Sequence, residues 1–188
     1  RMSQCSIVMI GASTGGLKVF EQLFPRLPVL KAAVVIVQHI TPLIDQAFVT
    51  SLARVSKMPV MLAREGQTLQ PGNIFLAPGG FHLHLVGNRS FHLSDGEKVN
   101  SVRPSIDVAM KSLVSPFGQR VAGVILTGMG SDGAAGISHI KQLGGITIAQ
   151  DQKTSVIYGM PKAAAETGMI DFILGTEKIA DKLVTLFG

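Results

Sequence analysis

Short apolar runs recur along this chain with helical patterns between them. The runs are Ser6 to Ile10, Ala33 to Val37, Val60 to Ala63, Ile74 to Ala77, Val121 to Thr127, Ile146 to Ala149 and Ile170 to Leu174. They are rich in β-branched residues and mostly lack polar alternation, as expected for strands covered on both faces. Apolar positions at helical spacing predict helices over Leu17 to Phe24, Asp45 to Ser56, Ser105 to Val114, Asp132 to Leu143, Pro161 to Thr167 and Glu177 to Leu186. Pro25 closes the first helix, and Pro161 suits the first turn of the fifth. This alternation predicts an α/β fold: a three-layer, doubly wound, mostly parallel sheet of about seven strands with helices on both faces.

One segment departs from the rhythm. Phe81 to Leu85 and Phe91 to Ser94 alternate apolar and polar around Gly87-Asn88, which predicts a β-hairpin. An odd loop such as Gly87-Asn88-Arg89 aligns Leu83, Leu85, Phe91 and Leu93 on one face, leaving His82, His84 and His92 on the other. Three imidazoles together can hold a metal. No carboxylate or cysteine stands at ligand spacing, so the face reads as solvated and no metal is expected.

The chain has 188 residues, 46% of them hydrophobic, which is enough for one domain with a full core. No apolar run reaches the length of a membrane span, and Arg1-Met2-Ser3-Gln4-Cys5 lacks the apolar core of a signal peptide. A cytoplasmic protein without membrane insertion is expected, and Arg1 ahead of Met2 suggests a domain cut from a longer protein. The single Cys5 has no partner for a disulfide, in keeping with a reducing compartment. A net charge of +5 favours acidic partners. Lys and Arg are scattered, tryptophan is missing and there is one tyrosine, so nucleic acid is not the expected partner.

Candidate chemistry begins at Gly11-Ala12-Ser13-Thr14-Gly15, a G-x-S-x-G pattern between a predicted strand and a predicted helix. In that context the serine of a nucleophile elbow stands exposed at the bend. The same turn also suits an anion-binding loop or a plain reversal of the chain. It lacks the lysine-serine pair of a P-loop and the second glycine of G-x-G-x-x-G. A serine nucleophile needs a base. His39 follows the run ending at Val37 with only Gln38 between, and so falls on the sheet edge that carries Ser13, the carboxyl edge where α/β sites gather. His139 lies within a predicted helix and reads as a packing or surface residue. Asp132 follows the Val121 to Thr127 run in a glycine-rich turn on the same edge. As a simple helix cap it would be replaceable by asparagine, whereas beside Ser13 and His39 it reads as the acid that orients the base. Asp107, Asp151 and Asp171 are weaker candidates for that role.

The order Ser, His, Asp differs from that of α/β-hydrolases. Gly-Ala-Ser-Thr-Gly-Gly at 11 to 16, Val-Gln-His at 37 to 39, Ala-Pro-Gly-Gly at 77 to 80, Arg-Pro-Ser-Ile-Asp at 103 to 107, Thr-Gly-Met-Gly-Ser-Asp-Gly at 127 to 133 and Tyr-Gly-Met-Pro at 158 to 161 together resemble the CheB-type chemotaxis protein-glutamate methylesterases. The match runs through nearly the whole chain. It implies Ser13 as nucleophile, His39 as general base and Asp132 as the residue that orients it, with Thr14 and Met129 as site neighbours. We expect the oxyanion donors to be the Thr14 N–H and one from the Met129 to Gly130 turn.

The resemblance further implies hydrolysis of glutamate γ-methyl esters on the cytoplasmic helices of methyl-accepting chemotaxis receptors, with glutamine deamidation by the same acyl-enzyme. No cofactor is needed. The Ile40-Thr41-Pro42-Leu43-Ile44-Asp45 segment departs from the proline-glycine-phenylalanine more common in the family, which puts the rim of the substrate cleft in question. The receiver domain that members often carry ahead of the esterase finds no counterpart in residues 1–188, so one catalytic domain is expected and phosphorylation control is left unassigned. A serine hydrolase of this fold outside chemotaxis, or a non-catalytic signalling module, are the alternatives.

Overall fold

The computed structural model describes residues 5–116 and 118–188. In chain order the strands are β1 (Ile7–Ala12), β2 (Ala33–Gln38), β3 (Val60–Leu62), β4 (Ile74–Leu76), β5 (His82–Val86), β6 (Ser90–Ser94), β7 (Val121–Ile125), β8 (Ile146–Gln150) and β9 (Phe172–Leu174). The helices are α1 (Gly16–Leu23), α2 (Asp45–Ala53), α3 (Ile106–Lys111), α4 (Ala134–Gln142), α5 (Met160–Glu166) and α6 (Thr176–Phe187). Seven strands form one sheet in the order β3-β4-β2-β1-β7-β8-β9, every pairing parallel. The expected three-layer architecture is present.

Side chains alternate across a strand, so each buried run feeds two cores. Val8, Ile10, Val34 and Ile36 meet α1, α2 and α6 on one face, while Ile7, Met9, Val35 and Val37 meet α3, α4, α5 and the hairpin on the other. That double burial explains the lack of polar alternation in the central strands. Phe20 of α1 stacks on Phe24 at 5.2 Å and meets Phe48 of α2 edge-on at 6.2 Å. Such aromatic pairs add about 0.5–1.5 kcal/mol beyond their burial, and here they fix the helix that follows Ser13.

All seven sheet strands and all six helices lie where the pattern put them, with shifted ends. Pro25 sits in a short 3-10 turn, Phe24–Arg26, that finishes α1. The fourth helix begins at Ala134, not Asp132, because Gly133 takes the cap position at φ 100, a left-handed conformation favoured by glycine. The hairpin has the three-residue loop and the expected register, Leu83 opposite Leu93 and His84 opposite His92. Its histidine face is not uniformly solvated, however. His82 is buried, its Nε2 2.7 Å from the Glu97 carbonyl and its Nδ1 accepting the Ser105 N–H at 3.2 Å. Among the described residues no three His, Cys, Asp or Glu side chains converge as metal ligands.

The topology creates one crevice of note. From β1 the chain turns into α1 on one face of the sheet, and from neighbouring β7 it passes into α4 on the other. Loops that leave adjacent parallel strands in opposite directions open a cleft at their carboxyl ends. Ser13 and Asp132 lie on the loops that leave the two strands flanking it.

Candidate active site

Ser13 follows β1 directly, and His39 follows β2. Ala12 and Gln38 are paired in register, and the His39 N–H donates to the Ala12 carbonyl at 3.1 Å, so serine and histidine emerge side by side from adjacent strands. Both line a cleft of about 280 Å³ with Thr14, Gly15, Gly16, Leu17, Lys18, Gln38, Ile40, Ile44 and Phe48. The bend itself needs glycine. Gly15 adopts φ 85, and a Cβ there would stand 2.5 Å from Val156. A Cβ on Gly128 would lie 2.7 Å from that of Ser13, so the turn after β7 touches the serine only because Gly128 has no side chain.

The elbow is anchored by residues that sequence reasoning passed over. Thr127, fully buried, accepts the Ser13 N–H at 2.9 Å, and its Oγ1 stands 3.0 Å from the Thr14 carbonyl and accepts the Ile157 N–H at 2.9 Å. Gln38 donates from Nε2 to the Ser13 carbonyl at 2.8 Å, and Gln150 accepts the Thr127 N–H at 2.8 Å. Each of these is a polar residue at or just beyond the end of an otherwise apolar strand, which is the signal that marks them. The Thr14 N–H, like those of Met129 and Gly130, meets no acceptor among the described residues.

His39 Nε2 and Asp132 Oδ2 are 2.7 Å apart. Asp132, 3% exposed, gathers a full set of donors: the Ile106 N–H also meets Oδ2 at 2.7 Å, while Oδ1 accepts from Asn100 Nδ2 at 2.9 Å, Ser105 Oγ at 3.0 Å and the Asp107 N–H at 3.0 Å. Asp132 therefore does not cap its own helix. It caps α3 from across the cleft, and Asp107, at the start of α3, caps α4 in return by accepting the Gly133 and Gly136 N–H groups at 2.9 and 2.7 Å. The weaker acid candidates are accounted for in the same way: Asp107 is this reciprocal cap, Asp151 closes a turn onto Thr154, and Asp171 pairs with Lys141 at 2.6 Å. His139 reaches the Leu113 carbonyl at 2.7 Å and fastens α4 to the segment after α3.

Burial alone would push the Asp132 carboxyl up. The hydrogen bonds from His39, Ile106, Asp107 and Asn100 outweigh it and hold the group at about 2, below its ordinary 3.8. A carboxyl lowered by folding stabilises the fold above its unfolded value and loses that contribution as the pH falls through its folded value. The expected window is thus from about pH 4 to about pH 2, with a loss of about 2 kcal/mol. Unfolding free energies of the parent and Asp132→Asn measured side by side should converge by that amount across the window, and a constant gap would contradict it.

The mouth of the cleft is apolar. Leu43 is 93% exposed and Met129 67%, with Ile44 and Val156 also open, all on segments that touch the serine or its cleft. The divergent Ile40 to Asp45 segment forms part of this rim, held by the Gly79 N–H donating to Asp45 Oδ2 at 3.2 Å. A second cleft of about 230 Å³ adjoins on the far side of His39, walled by Ile40, Thr41, Lys98, Ser101, Val102, Arg103 and Pro104.

A family model described as CheB methylesterase matches residues 8–183. The chain belongs to the CheB methylesterase family. Curated relatives named protein-glutamate methylesterase/protein-glutamine glutaminase include one from Pyrococcus horikoshii, 45% identical over 94% of this chain and 49% of its own length. Another, from Thermotoga maritima, is 39% identical over 96% of this chain and 54% of its own. The chain spans about half the length of these relatives. The crystal structure of the Thermotoga maritima CheB methylesterase catalytic domain superposes with a TM-score of 0.92 at 38% identity, covering 98% of this chain and all of that one. The fold of this CheB-family chain is thus the fold of that catalytic domain. Among the described residues no helix is long and apolar enough to cross a membrane.

Proposed function

We propose that residues 1–188 form one methylesterase-type catalytic domain, a serine hydrolase that releases methanol from glutamate γ-methyl esters on the cytoplasmic helices of chemotaxis receptors. The observation that carries this is the 2.7 Å pair of His39 and Asp132 on the strand edge beside Ser13, in a chain of the CheB methylesterase family. An ionised Asp132 can only accept, so the proton in that bond belongs to His39 Nε2. Nδ1 is then the lone pair left to act as base. Nδ1 takes the Ser13 proton as Oγ attacks the ester carbonyl, and returns it to the departing methoxide, releasing methanol. Water, activated by the same nitrogen, attacks the acyl-serine and frees glutamate. The unbonded N–H of Thr14 and one from the Met129 to Gly130 turn are suited to receive the developing oxyanion.

The exposed apolar collar of Leu43, Ile44, Met129 and Val156 supports a protein substrate. The relatives' second name favours a second reaction on the same acyl-enzyme, with glutamine as substrate and ammonia as leaving group. The deciding measurement is methanol release from a methylated receptor fragment beside hydrolysis of a generic small ester, with ammonia release from the unmethylated fragment. Receptor methanol release is expected. Turnover of the generic ester alone would move the activity outside chemotaxis, and none on any substrate would leave a binding module.

A further inference from the structure

We infer that Asn100 is a positioning residue of this site, an outer clamp that sets the Asp132 carboxylate and, through it, the proton on His39. The inference rests on the proposed triad and extends it to a residue that no motif marks. Asn100 stands in the exposed 95–101 stretch between the hairpin and α3, with φ 54. Its backbone is at the surface, yet its side-chain amide reaches inward. The one Nδ2 stands 2.8 Å from Asp107 Oδ2 and 2.9 Å from Asp132 Oδ1.

An amide nitrogen carries two hydrogens, one for each carboxylate. The two acids are close, because the Asp107 N–H also bonds to Asp132 Oδ1, and ionised groups so placed repel unless donors lie between them. Asn100 is the side chain that bridges both. With Ser105 Oγ and the Asp107 N–H it fixes Oδ1 and leaves Oδ2 aimed at His39 Nε2, and the position of Oδ2 decides whether Nδ1 keeps a free lone pair. The neighbours Lys98, Ser101, Val102 and Arg103 wall the second cleft against His39. A surface loop that shares a cleft with the histidine thus grips the acid behind it.

The left-handed backbone supplies a clean test, because glycine adopts that conformation without strain while removing the amide. If Asn100 served only the bend, Asn100→Gly would match the parent. We expect kcat to fall about ten- to a hundredfold, the range of one charge-assisted hydrogen bond, on both a methylated receptor fragment and a short γ-methyl-glutamate peptide. KM should stay within about threefold, and the thermal midpoint should fall modestly, since relief of the left-handed turn offsets only part of the loss of a donor between two carboxylates. Asn100→Asp keeps the shape but sets a third carboxylate against the pair, and should be slower than Asn100→Gly. In 15N spectra the His39 ring should show Nε2 protonated in the parent and a mixture of tautomers in Asn100→Gly.

Parental kcat in Asn100→Gly with an unchanged His39 spectrum overturns the inference, as does a loss confined to KM on the receptor fragment. The triad itself is judged separately by Ser13→Ala. An inactive Ser13→Ala beside a fully active Asn100→Gly removes Asn100 alone, whereas an active Ser13→Ala removes the reading on which it rests.

Discussion

Ser13→Ala should lose methanol release by about a millionfold, the cost of deleting the nucleophile in other serine hydrolases. The fold should not register the change. Every bond that Ser13 makes among the described residues runs through its backbone, to Thr127, Gly16 and Gln38, and its Oγ has no protein partner there. The thermal midpoint should therefore stay within the small range typical of half-exposed substitutions. A single preparation assayed for methanol and scanned for melting settles both points. Residual release near the parental rate would shift the chemistry to another group in the cleft.

Asp132→Asn should be nearly as damaging, by about ten-thousandfold, and in a different way. All five partners of Asp132 donate to it, so an asparagine must turn its amino group toward at least two of them. With the amino group at the Oδ2 position, the Ile106 N–H is orphaned in a buried site, at about 1–3 kcal/mol. Facing that amino group, His39 Nε2 becomes the acceptor, and the ring proton moves to Nδ1, the nitrogen needed as base. Activity and stability should fall together, seen as lost methanol release and a lower thermal midpoint on the same sample. Turnover near the parental rate would show that His39 needs no orientation by Asp132.

The stability half of that outcome differs from what the sequence alone predicts. Read along the chain, Asp132 precedes a helix and resembles a local cap, for which asparagine serves as well as aspartate. The structure gives it to α3, 26 residues earlier in the chain at Ile106, and gives Asp107 to α4 in exchange. Local pattern reports local partners, so a cap supplied through space is invisible to it. For the same reason the strands, the hairpin register and the common edge of Ser13, His39 and Asp132 were legible, since all follow from periodicity and strand ends. Asn100 was not, because an asparagine in a polar loop looks like any other until its amide is seen between two carboxylates. Gln38, Thr127 and Gln150 lie between these cases: each interrupts an apolar run at the one edge where polarity has a use.

The reciprocal caps of Asp132 and Asp107 also bear on how such a domain can change over time. On the proposed triad a substitution at Ser13 removes only chemistry, since its Oγ has no protein partner among the described residues, and a descendant that binds without reacting can lose it. Losing Asp132 also frays the start of α3, so the acid persists under selection for folding after selection for turnover has ended. Within this architecture the aspartate is a poor diagnostic of an active hydrolase. The serine that follows β1, whose side chain supports nothing but the proposed reaction, is the residue whose presence tells a working enzyme from its retired kin.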